Sequence, residues 1–198
     1  MALKHYLCID TATIFPQVGV LQGKEWLHFE RFEHVKAEVL WKTLRQWFMD
    51  FSWSGFIYNA GPGGTLGLHN VLMMIRIWKT LASYRAIPVG TYNGLFIASR
   101  LHPEYTIWAQ VCREKVWRAE GGELEILNPE EVEIFLNALR FPAQEVAPAA
   151  LRNCELLNYD LSSAATLVAS SLQWNDSWKE VPCSSTAFVP WDRKRHGA

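Results

Sequence analysis

The chain has 198 residues, 49% of them hydrophobic and 20% charged, with 19 Lys and Arg against 20 Asp and Glu. That apolar content excludes a disordered chain, and a formal net charge of −1 excludes the overall positive field of a dedicated nucleic-acid binder. No membrane span is expected, because the longest apolar run, Val71 to Ile75, stops at Arg76, far short of the roughly 20 residues a spanning helix needs.

Leu7-Cys8-Ile9 is apolar on both faces and ends at Asp10, the pattern of a central strand whose tip presents a carboxylate; the same Asp10 argues against a signal peptide. Val18 to Leu21, the turn at Gly23-Lys24 and Trp26 to Phe32 read as two further strands in antiparallel succession. Val35, Val39, Leu40, Leu44, Trp47 and Phe48 recur at helical spacing and predict an amphipathic helix over 35–48. Phe56-Ile57-Tyr58 is a short strand closed by Gly61-Pro62-Gly63-Gly64. A long helix follows over 66–83, with Leu68, Val71, Leu72, Ile75, Trp78 and Leu81 in its stripe and Met73, Met74 and Ile77 widening it. A helix apolar on more than one side needs a second surface to cover it. Ile87-Pro88-Val89 is a fifth strand, and Gly94 to Ser99 a third helix.

This order of three strands, helix, strand, helix, strand, helix is that of one ribonuclease H-like lobe, a mixed five-stranded sheet carrying helices. From Thr106 the pattern restarts in weaker form: Thr106 to Val111, Lys115 to Arg118 and Glu123 to Leu127 read as strands. Asn128-Pro129-Glu130-Glu131 has the cap, proline and glutamate of a helix start. Phe141 to Leu161 shows little periodicity, and Ser162 or Ser163 is placed to cap a last helix carrying Leu167, Val168 and Leu172. The expected architecture is α/β with two lobes, 1–103 and a reduced 104–198.

Asp10-Thr11-Ala12-Thr13, at a strand end, offers a carboxylate, hydroxyls and backbone N–H groups to a phosphate or a hydrated Mg²⁺; the same residues equally make a self-bonded polar turn. The glycine turn Gly61-Pro62-Gly63-Gly64 precedes a helix N-terminus, which favours an anion, but lacks the lysine of a P-loop. His34 and Glu38 lie four apart, two ligands at most, so no metal site is expected. Cys8, Cys112, Cys154 and Cys183 form no C-x-x-C pair, which points to a reducing, cytoplasmic setting. The basic run Arg193-Lys194-Arg195-His196 reads as a solvated terminus.

Ile9-Asp10-Thr11-Ala12-Thr13, His34 at the first helix, Gly61-Pro62-Gly63 with Gly67-Leu68 at the second, and Val189-Pro190-Trp191 to Arg193 near the end together resemble the TsaB (YeaZ) family. The resemblance runs from about Leu3 to Ala119. It implies an actin/Hsp70-like two-lobe fold (the ASKHA fold) and a non-catalytic role in threonylcarbamoyladenosine modification of tRNA. The partners it implies are a catalytic TsaD-like subunit, bound through the first two helices, and a TsaE-like ATPase, with a homodimer in isolation and tRNA met only indirectly. The chain departs from the family where Gly64-Thr65-Leu66 and His69 replace the family's Ser-Phe-Thr and Arg, and where Val111-Cys112-Arg113 replaces Asp-Ala-Arg.

Two readings result. In the first the chain is a scaffold, with His34, Leu40, Leu44, Leu68, Val71, Leu72 and Ile75 at the partner interface. It binds no cofactor alone, which leaves ATP and Mg²⁺ at the partner interface as the nucleotide contact the resemblance allows. In the second it is a small actin-like ATPase or kinase, with Asp10, Thr11, Thr13, Gly61, Gly63 and Gly64 holding nucleotide phosphate. Such an enzyme draws carboxylates from both lobes around the metal, and Val111 supplies none.

Overall fold

A computed structural model of the chain describes residues 4–33, 37–81, 87–112, 115–132, 137–143 and 149–175. His34, Val35, Arg113, Cys183, the segment from Val189 to Arg193 and the basic run at 193–196 lie outside these residues. Among the described residues no helix is long and apolar enough to cross a membrane.

The first sheet has six strands in the order β11-β5-β4-β1-β2-β3. Its strands are β1 (His5–Asp10), β2 (Gln17–Gln22), β3 (Glu25–Arg31), β4 (Trp53–Asn59), β5 (Val89–Tyr92) and β11 (Gln173–Asn175). β1 runs antiparallel to β2 and parallel to β4, and β4 is parallel to β5. The mixture follows from the connections: a two-residue turn joins β2 to β3, whereas crossovers with helices α1 (Ala37–Asp50) and α2 (Thr65–Leu81) lead into β4 and β5. The sixth strand, β11, was not legible as a strand and pairs antiparallel with β5.

Central strands buried on both faces alternate their side chains between two cores. Leu7 and Ile9 of β1 and Phe56 and Tyr58 of β4 face α1 and α2, where they meet Leu40, Leu44, Val71, Leu72 and Ile75. Cys8 and Ile57 point the other way, into a core shared with Leu95 and Ile97 of α3 (Gly94–Leu101), Val168 of α4 (Ala165–Ser171) and the second sheet. The Phe48 ring stacks on Trp78 at 4.7 Å, so α1 and α2 lie side by side as one layer.

The second sheet has the order β10-β9-β6-β7-β8, built from β6 (Thr106–Cys112), β7 (Lys115–Glu120), β8 (Glu123–Leu127), β9 (Ala138–Arg140) and β10 (Glu155–Leu156). Read from the other edge, 8-7-6-9-10 repeats the 3-2-1-4-5 of the first sheet, with the same antiparallel and parallel pairings. The reduction lies in the lengths of β9 and β10, three and two residues, too short for a hydrophobic pattern to register.

Two helix expectations are corrected. Asn128 does receive a reciprocal bond, its N–H donating to Glu131 Oε2 at 2.6 Å, but the result is one 3₁₀ turn, Pro129–Glu131, because Val132 is extended. Neither Ser162 nor Ser163 caps α4; Ala164 precedes it, and the Ser162 N–H is held by Asp160 Oδ1 at 2.8 Å instead.

Candidate functional site

The parallel strands β1, β4 and β5 end side by side at Asp10, Asn59 and Tyr92, on the face turned toward the second sheet. In open α/β sheets this is where ligands bind, in the crevice beyond the carboxyl ends of the strands. Here the crevice is filled by the protein itself. Asp10 is 0% exposed. Its Oδ2 accepts from Asn59 Nδ2 at 3.0 Å, from the Tyr92 hydroxyl at 2.9 Å and from the Tyr159 hydroxyl at 3.2 Å. Its Oδ1 accepts the Ala12 N–H at 3.1 Å. Asn59 is fixed in turn, its Oδ1 receiving the N–H groups of Gly61 and Gly94, each at 2.9 Å.

Electrostatics follow from enclosure. Burial pushes the Asp10 carboxyl up from 3.8 to about 6, with the bonds from Tyr92, Asn59, Ala12 and Tyr159 pulling the other way. Burial, and then the Asp10 charge, raise Tyr92 and Tyr159 well above the ordinary phenol value, so both remain proton donors. The Cys8 thiol is raised by the same two causes and stays protonated, inert as a nucleophile.

The two turns expected to cradle phosphate are brought together, but to close on each other. The Thr11 hydroxyl donates to the Gly67 carbonyl at 2.8 Å, and the Gly64 N–H donates to the Ala12 carbonyl at 2.9 Å. The approach is so close that a Cβ at Gly67 would overlap the Thr11 carbonyl oxygen, and one at Gly63 would overlap the Ala12 backbone. These glycines permit backbone contact between turn and strand end. Gly61 has a positive φ of 124° and leads into a cis bond to Pro62. Thr13 closes its own small turn, its hydroxyl donating to the Phe15 carbonyl at 3.0 Å.

The far wall is tied down as well. The Ile14 N–H donates to the Pro142 carbonyl at 2.8 Å. Gln17, 1% exposed, donates through Nε2 to the Tyr159 carbonyl at 3.3 Å and accepts the Leu161 N–H at 2.7 Å. Trp26 Nε1 donates to the Leu161 carbonyl at 2.8 Å.

ATP with Mg²⁺, the group this fold family implies, needs an outward carboxylate and unspent donors. Asp10 is sealed, and the Thr11 hydroxyl and Gly64 N–H are engaged internally, so the residues here do not fit that group. Asp10, Thr11, Thr13, Gly61, Gly63 and Gly64, the residues expected to cradle phosphate, are brought together here as a closed polar joint. Among the described residues, no three His, Cys, Asp or Glu side chains gather into a set able to hold a metal ion.

The residues expected at a partner interface are largely buried in the chain itself. Leu40, Leu44, Leu68, Val71, Leu72 and Ile75 are all at most 6% exposed and pack in the monomer's own core. A helix on a sheet spends its most regular apolar stripe on that sheet. The residues that merely widened the stripe are the outward ones: Met73 is 58% and Ile77 48% exposed, while Met74 turns inward.

Asn59, Tyr92, Tyr159 and Gln17 were missed. Asn59 and Tyr92 carried a usable signal, since each closes an apolar strand as Asp10 does. Tyr159 and Gln17 carried none, being joined across the chain only by folding.

No family model and no curated protein matches the chain. Solved structures do match it. YeaZ from Pseudomonas aeruginosa superposes with a TM-score of 0.50 at 16% identity, covering 70% of this chain and 76% of that one. An uncharacterized protein with similarity to peptidase YeaZ from Pseudomonas aeruginosa superposes with a TM-score of 0.56 at 16% identity, covering 89% of this chain and 96% of that one. The chain therefore has the YeaZ-type, actin-like fold.

Proposed function

We propose that the chain is a non-catalytic, TsaB-like subunit that scaffolds a tRNA-modifying complex by binding a TsaD-like catalytic subunit through the outer face of α1 and α2. A TsaE-like ATPase completes the assembly in this reading, and tRNA is met through the complex. The carrying observation is where apolar surface is left uncovered. Of the eight large hydrophobics exposed among the described residues, five lie on this one layer: Val39, Met49, Leu66, Met73 and Ile77. Scattered exposed apolar residues are ordinary, whereas a shared face marks an interaction site. The sealed crevice at Asp10 supports the same reading, because it leaves the chain a shape to present rather than a reaction to perform.

The test is co-purification with a TsaD-like subunit, with complex mass measured by light scattering, and replacement of the native protein in bacteria depleted of TsaB, with threonylcarbamoyladenosine in tRNA quantified by mass spectrometry. A complex and restored modification are expected. A chain that stays alone beside the subunit and restores nothing refutes the proposal.

A further inference from the structure

The two sheets repeat one strand order but differ at one edge. In the first, β5 carries a further strand on its outer side, β11, which runs antiparallel to it. The matching strand of the second sheet is β10, and there the order ends. The Leu157 N–H donates inward to the Arg140 carbonyl at 2.8 Å, so Leu156, in register with Arg140, turns its own N–H and C=O away from β9. Among the described residues no strand or turn bonds to that outer side. A groove of about 890 Å³ lies there instead. Residues 155–158 all line it, and successive residues of an extended segment, whose side chains alternate, border one groove together only along its edge. The loop ahead of β6 adds His102 and Glu104. Glu104 and Glu155, both exposed, form no ion pair among the described residues, and no Lys or Arg lines the groove. Arg31 holds Asn158 Oδ1 at 2.6 Å without lining it.

Independently of the docking reading above, we propose that β10 takes an extended segment of another polypeptide as a sixth strand of the second sheet, one that alternates cationic with apolar residues. Glu155 and Leu156 are successive residues of a strand and point to opposite faces. A strand laid beside them brings a cation to one face and an apolar side chain to the other, while its backbone bonds the outward groups of Leu156. The chain's own basic run, Arg193-Lys194-Arg195-His196, has no apolar residue to set against Leu156. A second copy fits no better. Its edge strands β3 and β8 carry Glu25, Glu30, Glu123 and Glu125, and its β11 has no cation. Like charges opposite one another destabilise a strand pair, whereas opposite charges support it.

The probes are three end-blocked peptides of about seven residues, an ordinary strand length. One alternates Lys with Val, one alternates Glu with Val, and the third is the lysine peptide with alternate backbone nitrogens methylated. Binding to the full chain is read by fluorescence anisotropy at low and high salt. The lysine peptide is expected to bind on the order of tenfold more tightly than the glutamate peptide at low salt, the difference shrinking as salt screens it. Methylation is expected to cost a similar factor. The bound lysine peptide should slow hydrogen exchange at the Leu156 amide and leave Leu157, already bonded to Arg140, unchanged. Leu156→Pro removes only an outward N–H, which an edge strand tolerates, and is expected to abolish binding. Glu104→Lys with Glu155→Lys leaves the backbone edge intact and is expected to reverse the charge preference, which keeps the proposal testable should the proline variant not fold. Arg193→Gln, Lys194→Gln and Arg195→Gln together are expected to leave the affinity unchanged. Equal affinities, no binding of the lysine peptide, undiminished binding of its methylated form, or unaltered exchange at Leu156 each overturns the proposal. So does tighter binding once residues 193–195 are neutralised, because the chain's own basic run would then be the occupant.

Discussion

The Tyr159 hydroxyl donates to the Asp10 carboxylate at 3.2 Å across a separation of 149 residues, setting a side chain from between β10 and α4 into the crevice where the first sheet's parallel strands end. A phenol thus occupies the crevice beyond the strand ends, where open α/β sheets otherwise bind ligands. The contact joins two distant parts of the chain and encloses the charge, and both consequences are measurable.

The enclosed carboxyl makes stability depend on pH. Its pKa is raised from 3.8 to about 6. The folded chain therefore holds this proton more tightly than the unfolded one, so the contribution is fully present below pH 3.8 and is lost as pH climbs through about 6. Its size is on the order of 3 kcal/mol. Urea unfolding of the parent and of Asp10→Asn from pH 4 to 7 is expected to show a decline in the parent that the variant lacks. Identical slopes would mean that Asp10 is not sealed.

Gln17 bonds both the Tyr159 carbonyl and the Leu161 N–H. Gln17→Leu keeps the side chain's bulk and leaves both backbone groups buried without their partner, a loss of about 2–4 kcal/mol. Hydrogen exchange is the informative readout. The Leu161 amide should exchange far faster in the variant, whereas retained protection would assign the segment's anchorage elsewhere.

Two glycines, Gly64 just before α2 and Gly67 in its first turn, should behave oppositely. At Gly67 a methyl group would overlap the Thr11 carbonyl oxygen, so Gly67→Ala must break the joint between strand end and helix, at roughly 3 kcal/mol or more. At Gly64 the nearest atom to an added Cβ is the Ala143 oxygen at 3.6 Å, an ordinary contact. Thermal melts of the two alanine variants should therefore separate widely, and similar melting temperatures would refute the close approach.

On α2, neighbouring positions divide core from interface. Leu72→Glu and Ile75→Glu place a charge among Leu7, Ile9 and Phe56 and should prevent folding, since an unpaired buried carboxylate costs several kcal/mol. Met73→Glu and Ile77→Glu place it on surface that is already exposed, and should leave the melting temperature within about 2 °C while abolishing capture of a TsaD-like subunit. Circular dichroism paired with co-purification reads both effects. A Met73→Glu chain that still binds would move the docking surface off this face.

Local pattern was sufficient wherever an element's own residues decide its state. The first lobe's order of strands and helices is written in runs such as Leu7-Cys8-Ile9 and in the helical spacing of Leu40, Leu44 and Phe48, because those side chains are sorted by a sheet or helix period regardless of what covers them. The proximity of Asp10 to the Gly61-Gly64 turn was legible for the same reason, since a strand end and the turn after a parallel neighbour must meet. Only the tertiary structure decided what those groups face. Nothing near Asp10 in the chain announces Tyr159 or Gln17, and nothing in a helical wheel says whether the regular stripe of α2 is spent on the chain's own sheet or on a partner. Burial and hydrogen-bond partnership are properties of pairs far apart in sequence, fixed when distant segments pack. For that reason a phosphate cradle and a closed joint read alike along the chain, and differ only once Tyr159 is in place.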